Sequence, residues 1–279
     1  MPAADSEAVA SELSARGFAV VRGLLAPNTI VRARSHLENA VDAHLSKAGL
    51  DNDLPLSAGL SLEQRLATAY AACPERAPCS WVQQTKTSFV FHQLLFRDPA
   101  LTELVGALTG GREAVVASRY NCRSKLPQAK EASFPWHQDH AFFRMQYMLK
   151  KEAPKRLLAA WAPLTHVDAA NGGVELLPGS HRLGFRRHRR DGSFLAVAPD
   201  AVEPSCLCGG DVPPLEPGDV LLFTDLTLHR SGLNTTSAAR WSADWAYELS
   251  DADPLVCPPL EPTATQPADA AAQGAASAA

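Results

Sequence analysis

The sequence predicts an all-β core at about residues 113–250, a sandwich or barrel, under a mainly helical layer at residues 1–112. Three observations carry this. Apolar residues recur at helical spacing early in the chain, as in Ile30, Val31, Leu37, Val41 and Leu45. From Glu113 onward the apolar segments are short and bounded by Pro, Gly, Asn and Asp. No linker-like stretch separates the two halves, so residues 1–250 read as one folding unit, long enough for a sizeable core.

The elements follow in order. Ser6 is placed to N-cap a helix that runs to about Arg16, with Gly17 ending it. Phe18-Ala19-Val20-Val21 reads as a short strand. Pro27 suits the first turn of a helix reaching about His44. Residues 49–60 read as loop, and a helix is expected at 61–72. Phe89 to Leu95 and Pro99 to Leu108 read as two more helices, the second closed by Gly110-Gly111. Strands are expected at Ala114–Cys122, Leu157–Leu164, Gly173–Leu177, Val220–Thr227 and Arg240–Leu249. From Asp251 the chain is Pro- and Ala-rich with little to bury, so residues 251–279 read as a disordered tail.

Composition narrows the class. Lys and Arg number 26 against 30 Asp and Glu, a formal net charge of −4, which argues against a nucleic-acid partner. No apolar run approaches the ~18 residues of a membrane span. The start, Met1 to Glu7, lacks the basic-then-apolar order of a secretory signal. A cytoplasmic protein with a small-molecule partner is expected. The six cysteines are irregularly spaced; Cys206-Leu207-Cys208 lacks the second close pair of a zinc site, and reduced thiols are expected.

The chemistry concentrates in Phe134-Pro135-Trp136-His137-Gln138-Asp139-His140. On a strand, His137 and Asp139 would point to one face and hold two corners of a metal, with His140 on the other parity. His229, after the apolar strand that begins at Val220, supplies a third corner. Two His and one carboxylate form the facial set of non-haem Fe(II) oxygenases, with three positions left open. A 2-oxo acid fills two of these and dioxygen the third. Its far carboxylate then needs a permanent buried cation, and Arg240 suits this, with the hydroxyls of Ser231 and Ser242 near it.

His137-x-Asp139, His229-x-Ser231-Gly232 and Arg240 together resemble the phytanoyl-CoA dioxygenase family of Fe(II)/2-oxoglutarate-dependent oxygenases. The stretch from Asn171-Gly172-Gly173 through Leu177-Pro178-Gly179-Ser180-His181-Arg182 is similar to that family's NGxLxxxPGSH segment, as is Pro217-Gly218-Asp219-Val220. The resemblance runs from about Gly17 to residue 250. It implies a double-stranded β-helix (a cupin-like jelly roll) flanked by helices. It also implies Fe(II), 2-oxoglutarate and O₂ as cofactor and cosubstrates, with oxidation of a substrate C–H bond and release of succinate and CO₂. A carboxylate at Asp139, where halogenating relatives have a small residue, favours hydroxylation over halogenation.

Arg119, Asn121, Arg123 and Lys125 alternate and so share one strand face. The resemblance places Asn121 and Arg123 near 2-oxoglutarate and Arg119 near substrate. Inward cations need anionic partners, which points to a carboxylate-bearing substrate; a water-facing edge strand is the competing account. Phe142 and Phe143 are pocket-wall candidates or core, and Gln138 is a substrate-contact candidate if it reaches the pocket. Trp136 and Trp161 read as core or as support for the ligands. The basic run Arg182, Arg186 to Arg190 reads as a solvated loop or as a rim that steers anions. Two other functions remain open: a zinc hydrolase, since the same donors hold Zn²⁺, and a metal-free binding jelly roll.

Overall fold

The computed structural model describes residues 4–50, 59–73, 89–113, 115–151, 155–192 and 194–250; the side chains of Phe89, Ser118 and Arg119 are outside that description, as is the expected tail at 251–279. The N-terminal layer holds α1 (Ser6–Arg16), β1 (Phe18–Val21), α2 (Pro27–Lys47), α3 (Leu62–Ala72), α4 (Phe89–Phe96) and α5 (Pro99–Leu108). Asp5, not Ser6, caps α1: its Oδ1 accepts from the amides of Glu7 and Ala8, both at 3.1 Å. Pro27 opens α2, a Ser61/Gln64 capping box opens α3, and Asp98 caps α5.

The core strands are β2 (Val115–Lys125), β3 (Arg156–Pro163), β4 (Val174–Leu176), β5 (His188–Asp191), β6 (Phe194–Val197), β7 (Val220–Thr224), β8 (His229–Ser231) and β9 (Arg240–Leu249). The major sheet has the antiparallel order β1-β7-β3-β9-β2. β4 pairs with β8, and the bridges His137↔His229 and Leu176↔Asp211 extend this second layer. The two layers form the jelly roll. The expected strand to Thr227 stops at Thr224, because a turn closes with the Thr227 amide donating to Thr224 O at 2.9 Å.

Period-two alternation sorts the major sheet. Leu158, Ala160, Ala162, Leu222, Trp241, Ala243, Trp245 and Tyr247 pack in one cluster with Leu13, Leu37, Leu66 and Leu101 of the helical layer. The opposite parity, Phe18, Ala159, Trp161, Leu221 and Phe223, packs against Leu176 and Leu215 between the sheets. On β9 that inner parity carries Arg240, Ser242 and Asp244; on β2 it carries Asn121, Arg123 and Lys125. The sheet is therefore greasy toward the helices and polar toward the interior only where those two strands run side by side.

The short strand β8 at His229–Ser231 was not among the expected strands, and two further features also differ. The residues after the HxD pair form a helix, α6 (Asp139–Lys150). The end of the basic run, His188 to Arg190, enters β5 of a β5–β6 hairpin, whereas Arg186 and Arg187 precede it in a loop.

Gly17 ends α1 at φ +85°, donating to Leu13 O at 2.9 Å. A Cβ there would lie 2.6 Å from both His181 Nδ1 and Thr227 Oγ1. Gly17→Ala is expected to destabilise the fold by more than the ~1–2 kcal/mol of left-handed strain alone, read as a lower midpoint in urea unfolding.

Candidate active site

His137 and His229 sit opposite each other on the short bridge between the chain before α6 and β8. Each amide donates to the other's carbonyl, at 2.9 and 3.0 Å, which brings the imidazole centroids to 4.1 Å. Asp139 joins them differently from expectation. It is not the third residue of a strand but the first residue of α6, with Gln138 extended before it. The turn into the helix swings its Oδ1 to 3.7 Å from His137 Nε2 and 3.6 Å from His229 Nε2. One ligand atom from each of the three lies within 4.8 Å of the others.

Both imidazoles are oriented from behind. His137 Nδ1 lies 2.8 Å from Pro135 O, and His229 Nδ1 lies 3.0 Å from Thr227 O. A carbonyl can only accept, so Nδ1 carries the proton and each Nε2 lone pair faces Asp139. Burial pushes both imidazoles down to about 4, and His229 adds to the effect at His137. Burial pushes Asp139 up to about 6. Two neutral imidazoles and a reluctant carboxylate make a donor set that a divalent cation would satisfy.

The neighbours of the ligands hold this geometry. Gln138 is fully buried and its side chain is spent on backbone groups: its Nε2 donates to Gly184 O at 2.9 Å and Leu226 O at 2.7 Å, and its Oε1 accepts from the Arg186 amide at 2.8 Å. Its side chain braces the loop before β5, and Gln138 also lines the cavity. His140 Nδ1 lies 2.8 Å from Asp225 Oδ2, and Arg156 donates from Nε to Asp225 Oδ1 at 2.9 Å. This buried Arg156–Asp225–His140 chain ties β3 and the turn after β7 to the start of α6, next to Asp139. Asp225→Asn is expected to cost roughly 3–5 kcal/mol, as for a buried ion pair losing one partner, measured by denaturant unfolding.

The ligands open into a cavity of about 490 Å³. At its inner end Arg240, only 5% exposed, donates from Nη1 to Ser242 Oγ at 2.6 Å and from Nη2 to Gly172 O at 3.1 Å, and sits 5.4 Å from the Trp161 ring. Its buried Nε has no hydrogen-bond partner. Burial and the Arg123 charge press its pKa down to about 10. An orphaned donor on a guanidinium without a carboxylate partner is what an incoming carboxylate would complete. Ser231, also on the cavity wall, accepts from Lys125 Nζ at 2.8 Å and from the Phe134 amide at 3.2 Å.

Asn121 and Arg123 face the cavity, but they meet a residue not anticipated there. Asn121 Nδ2 donates to Asp244 Oδ1 at 3.1 Å, and Arg123 binds the same carboxylate from Nε at 3.0 Å and Nη2 at 2.9 Å. The anion inferred for a substrate is, for Arg123, supplied by the chain itself. Asp244 on β9 could have been found from the inward parity it shares with Arg240. The Arg119 side chain lies outside the described residues. Phe142 and Phe143 line the cavity from α6 with ring centroids 5.9 Å apart, joined by Phe134, Phe194 and Leu195; the Phe134 and Phe194 centroids are 4.8 Å apart. The basic run is used locally: Arg182 donates to Ser14 O at 2.9 Å, Arg186 to Leu183 O, and Arg187 pairs with Asp200. Cys206 and Cys208 are exposed free thiols outside the site.

Comparison with known proteins fits this geometry. The phytanoyl-CoA dioxygenase (PhyH) family matches residues 13–242. The rat peroxisomal phytanoyl-CoA dioxygenase is 24% identical over 251 residues, covering 84% of this chain and 66% of that protein. The 1-deoxypentalenic acid 11-beta-hydroxylase of Streptomyces arenae is 34% identical over 117 residues, 38% of this chain and 37% of that protein. The chain thus spans just under two thirds of the first relative and little more than a third of the second. Among solved structures, the epimerase SnoN in complex with Fe³⁺, alpha-ketoglutarate and nogalamycin RO superposes with a TM-score of 0.56 at 19% identity, covering 88% of this chain and 84% of that one. EctD from S. alaskensis with 2-oxoglutarate and 5-hydroxyectoine gives 0.56 at 20% identity, covering 86% and 74%. These likenesses show the double-stranded β-helix fold. With a match running from within α1 into β9, across every strand that bears a candidate ligand, the chain belongs to the phytanoyl-CoA dioxygenase family.

Proposed function

We propose that this chain is a non-haem Fe(II)/2-oxoglutarate-dependent oxygenase that hydroxylates a C–H bond of a small, largely apolar molecule, with release of succinate and CO₂. The observation that carries the reading is one cavity with a two-His, one-Asp donor set and, at its inner end, a buried arginine with an unmatched donor. Fe(II) with 2-oxoglutarate and O₂ would supply the oxidising power to break an unactivated C–H bond. The rest falls to the protein. His137, Asp139 and His229 would hold the metal ion at the cavity wall. Arg240, with Ser242 bonded to it, would receive the far carboxylate of the 2-oxo acid. Phe134, Phe142, Phe143, Phe194 and Leu195 exclude water and pack the substrate.

An apolar substrate is favoured here over a carboxylate-bearing one, since Asp244 already answers Arg123. Hydroxylation is favoured by the carboxylate at Asp139 and by the hydroxylase relative; an epimerase and a carbocyclase share the fold, and their outcomes need no other ligands. A zinc hydrolase has no use for Arg240. The test is succinate formation that requires both Fe(II) and 2-oxoglutarate, screened against terpenoid, polyketide, lipid and amino-acid libraries with mass detection of the product. A product heavier by one oxygen is expected. Hydrolysis products formed without 2-oxoglutarate would overturn the reading.

A further inference from the structure

The short segment that carries His137 and Asp139 is held from two sides, and the two sides are built differently. Toward β8 it uses main chain, the His137 amide and carbonyl pairing with those of His229. On the other side Trp136 O accepts from the Val197 amide of β6 at 2.9 Å. The next donor along that side is the amide of Gln138, a fully buried residue whose N–H needs an acceptor. It donates not to a carbonyl but to His188 Nε2 at 3.0 Å, an imidazole standing where a strand would offer main chain. At the far end of the ring, His188 Nδ1 lies 2.7 Å from Arg186 O, so Nδ1 carries the proton and Nε2 presents its lone pair. Burial pushes the ring down to about 4, so it is neutral at neutral pH. Within a run of arginines it serves as an acceptor, which no arginine can do. The circuit then closes, because the Arg186 amide donates back to Gln138 Oε1 at 2.8 Å.

The Phe185 ring fixes the plane of this imidazole. It stacks on His188 at 5.5 Å and 10°, and meets His140 edge-on at 5.3 Å and 63°. His140 is itself bonded to Asp225, so the residues before and after Asp139 are each locked, one through His188 and one through Asp225. No ligand atom belongs to the circuit; its effect falls on where Asp139 points. Gln138 is extended, at φ −119° and ψ 131°, and the chain turns into α6 at the next residue. Rotation about Gln138 would therefore swing the Asp139 side chain, whose Oδ1 has to meet two Nε2 atoms at 3.7 and 3.6 Å. We propose that His188 is a positioning residue of the metal centre: its Nε2 pins the Gln138 amide and thereby the direction in which Asp139 presents its carboxylate. The inference rests on the functional reading above. Metal-ligand geometry is commonly held by hydrogen bonds one step behind the donors, and here that step is taken through the backbone between two of them.

The test is titration calorimetry of the metal-free protein with Mn(II), on wild type and three variants. Gln can place its oxygen near the position of Nε2. Asn places its amide nitrogen near Nδ1 and has nothing at Nε2. Leu keeps bulk without either polar atom. His188→Gln should bind Mn(II) within a few-fold of wild type. His188→Asn and His188→Leu should bind about 10–100-fold more weakly, the usual cost of losing an outer-shell partner. A side chain that only filled space would give the reverse order, with Leu nearer to wild type than Gln. With Co(II) as the probe, the visible absorption of His188→Asn should shift toward that of Asp139→Ala, while His188→Gln should keep the wild-type bands. Far-UV circular dichroism establishes folding, and if His188→Leu does not fold, the comparison of Asn with Gln decides. If His188→Asn binds Mn(II) as wild type does, or His188→Gln is as weak as His188→Asn, the role of His188 is overturned while the functional reading stands on its succinate assay. If wild type and Asp139→Ala bind Mn(II) alike, the metal site is elsewhere and both fall together.

Discussion

His229→Ala is expected to bring turnover below detection and to weaken metal binding by well over the ~10–100-fold seen when only an outer-shell partner of a ligand is lost. The bridge that positions it is made by backbone atoms, the His137 amide on His229 O and the reverse. The variant should therefore fold, with circular dichroism like wild type, and lose function for a local reason. Calorimetric titration with Mn(II) separates the two effects, and retained affinity would remove His229 from the ligand set. The same titration across pH checks the electrostatics. Metal binding requires neutral imidazoles and an ionised Asp139. Both imidazoles are already neutral above about 4, whereas Asp139 holds its proton until about 6. Affinity should thus rise about tenfold per pH unit toward pH 6 and then level off. A rise continuing to pH 8 would place the controlling proton elsewhere.

Arg240→Met should raise the KM for 2-oxoglutarate by about 10²–10³-fold, two charge-assisted hydrogen bonds at ~1.5–3 kcal/mol each being lost in part. The KM for the oxidised substrate should move far less, because Arg240 touches Ser242, Gly172 and Trp161 rather than the phenylalanines of the cavity wall. Arg240→Lys keeps a charge but loses the fork that reaches Ser242 Oγ and Gly172 O. It should fall between, at about 10–100-fold. Succinate release at varied 2-oxoglutarate measures both. An unchanged KM in Arg240→Met would move the cosubstrate subsite away from β9.

Much of this was legible in the sequence, for identifiable reasons. The helices announced themselves through Pro27, Gly17 and their apolar spacing, and the buried strands through runs such as Val220-Leu221-Leu222-Phe223. The chemistry was legible because His137, Asp139, His229 and Arg240 stand at recognisable intervals. What failed was local geometry read by parity alone. Asp139 reaches the histidines because the chain turns into a helix after Gln138, and the amphipathic spacing of the residues that follow is overlooked when the HxD pair is read as strand. The fate of Arg123 was illegible for a different reason. Its partner Asp244 lies 121 residues on, and only strand register brings the two together. The same register sets Lys125 against Arg240.

The division of labour along the cavity has a consequence for how such a protein can change. The metal donors hang on a backbone bridge and the first turn of α6, and the keto-acid end is framed by β2 and β9. The apolar wall comes from Phe134, from Phe142 and Phe143 near the start of α6, and from the β5–β6 hairpin, which is tied to the donor segment by the Val197 amide on Trp136 O and the Gln138 amide on His188 Nε2. Selectivity and metal geometry are therefore mechanically joined, because the same short segment carries His137 and Asp139 and anchors the wall. Retuning the substrate on this scaffold then calls for wall substitutions that leave the backbone ties at Trp136 and Gln138 in place.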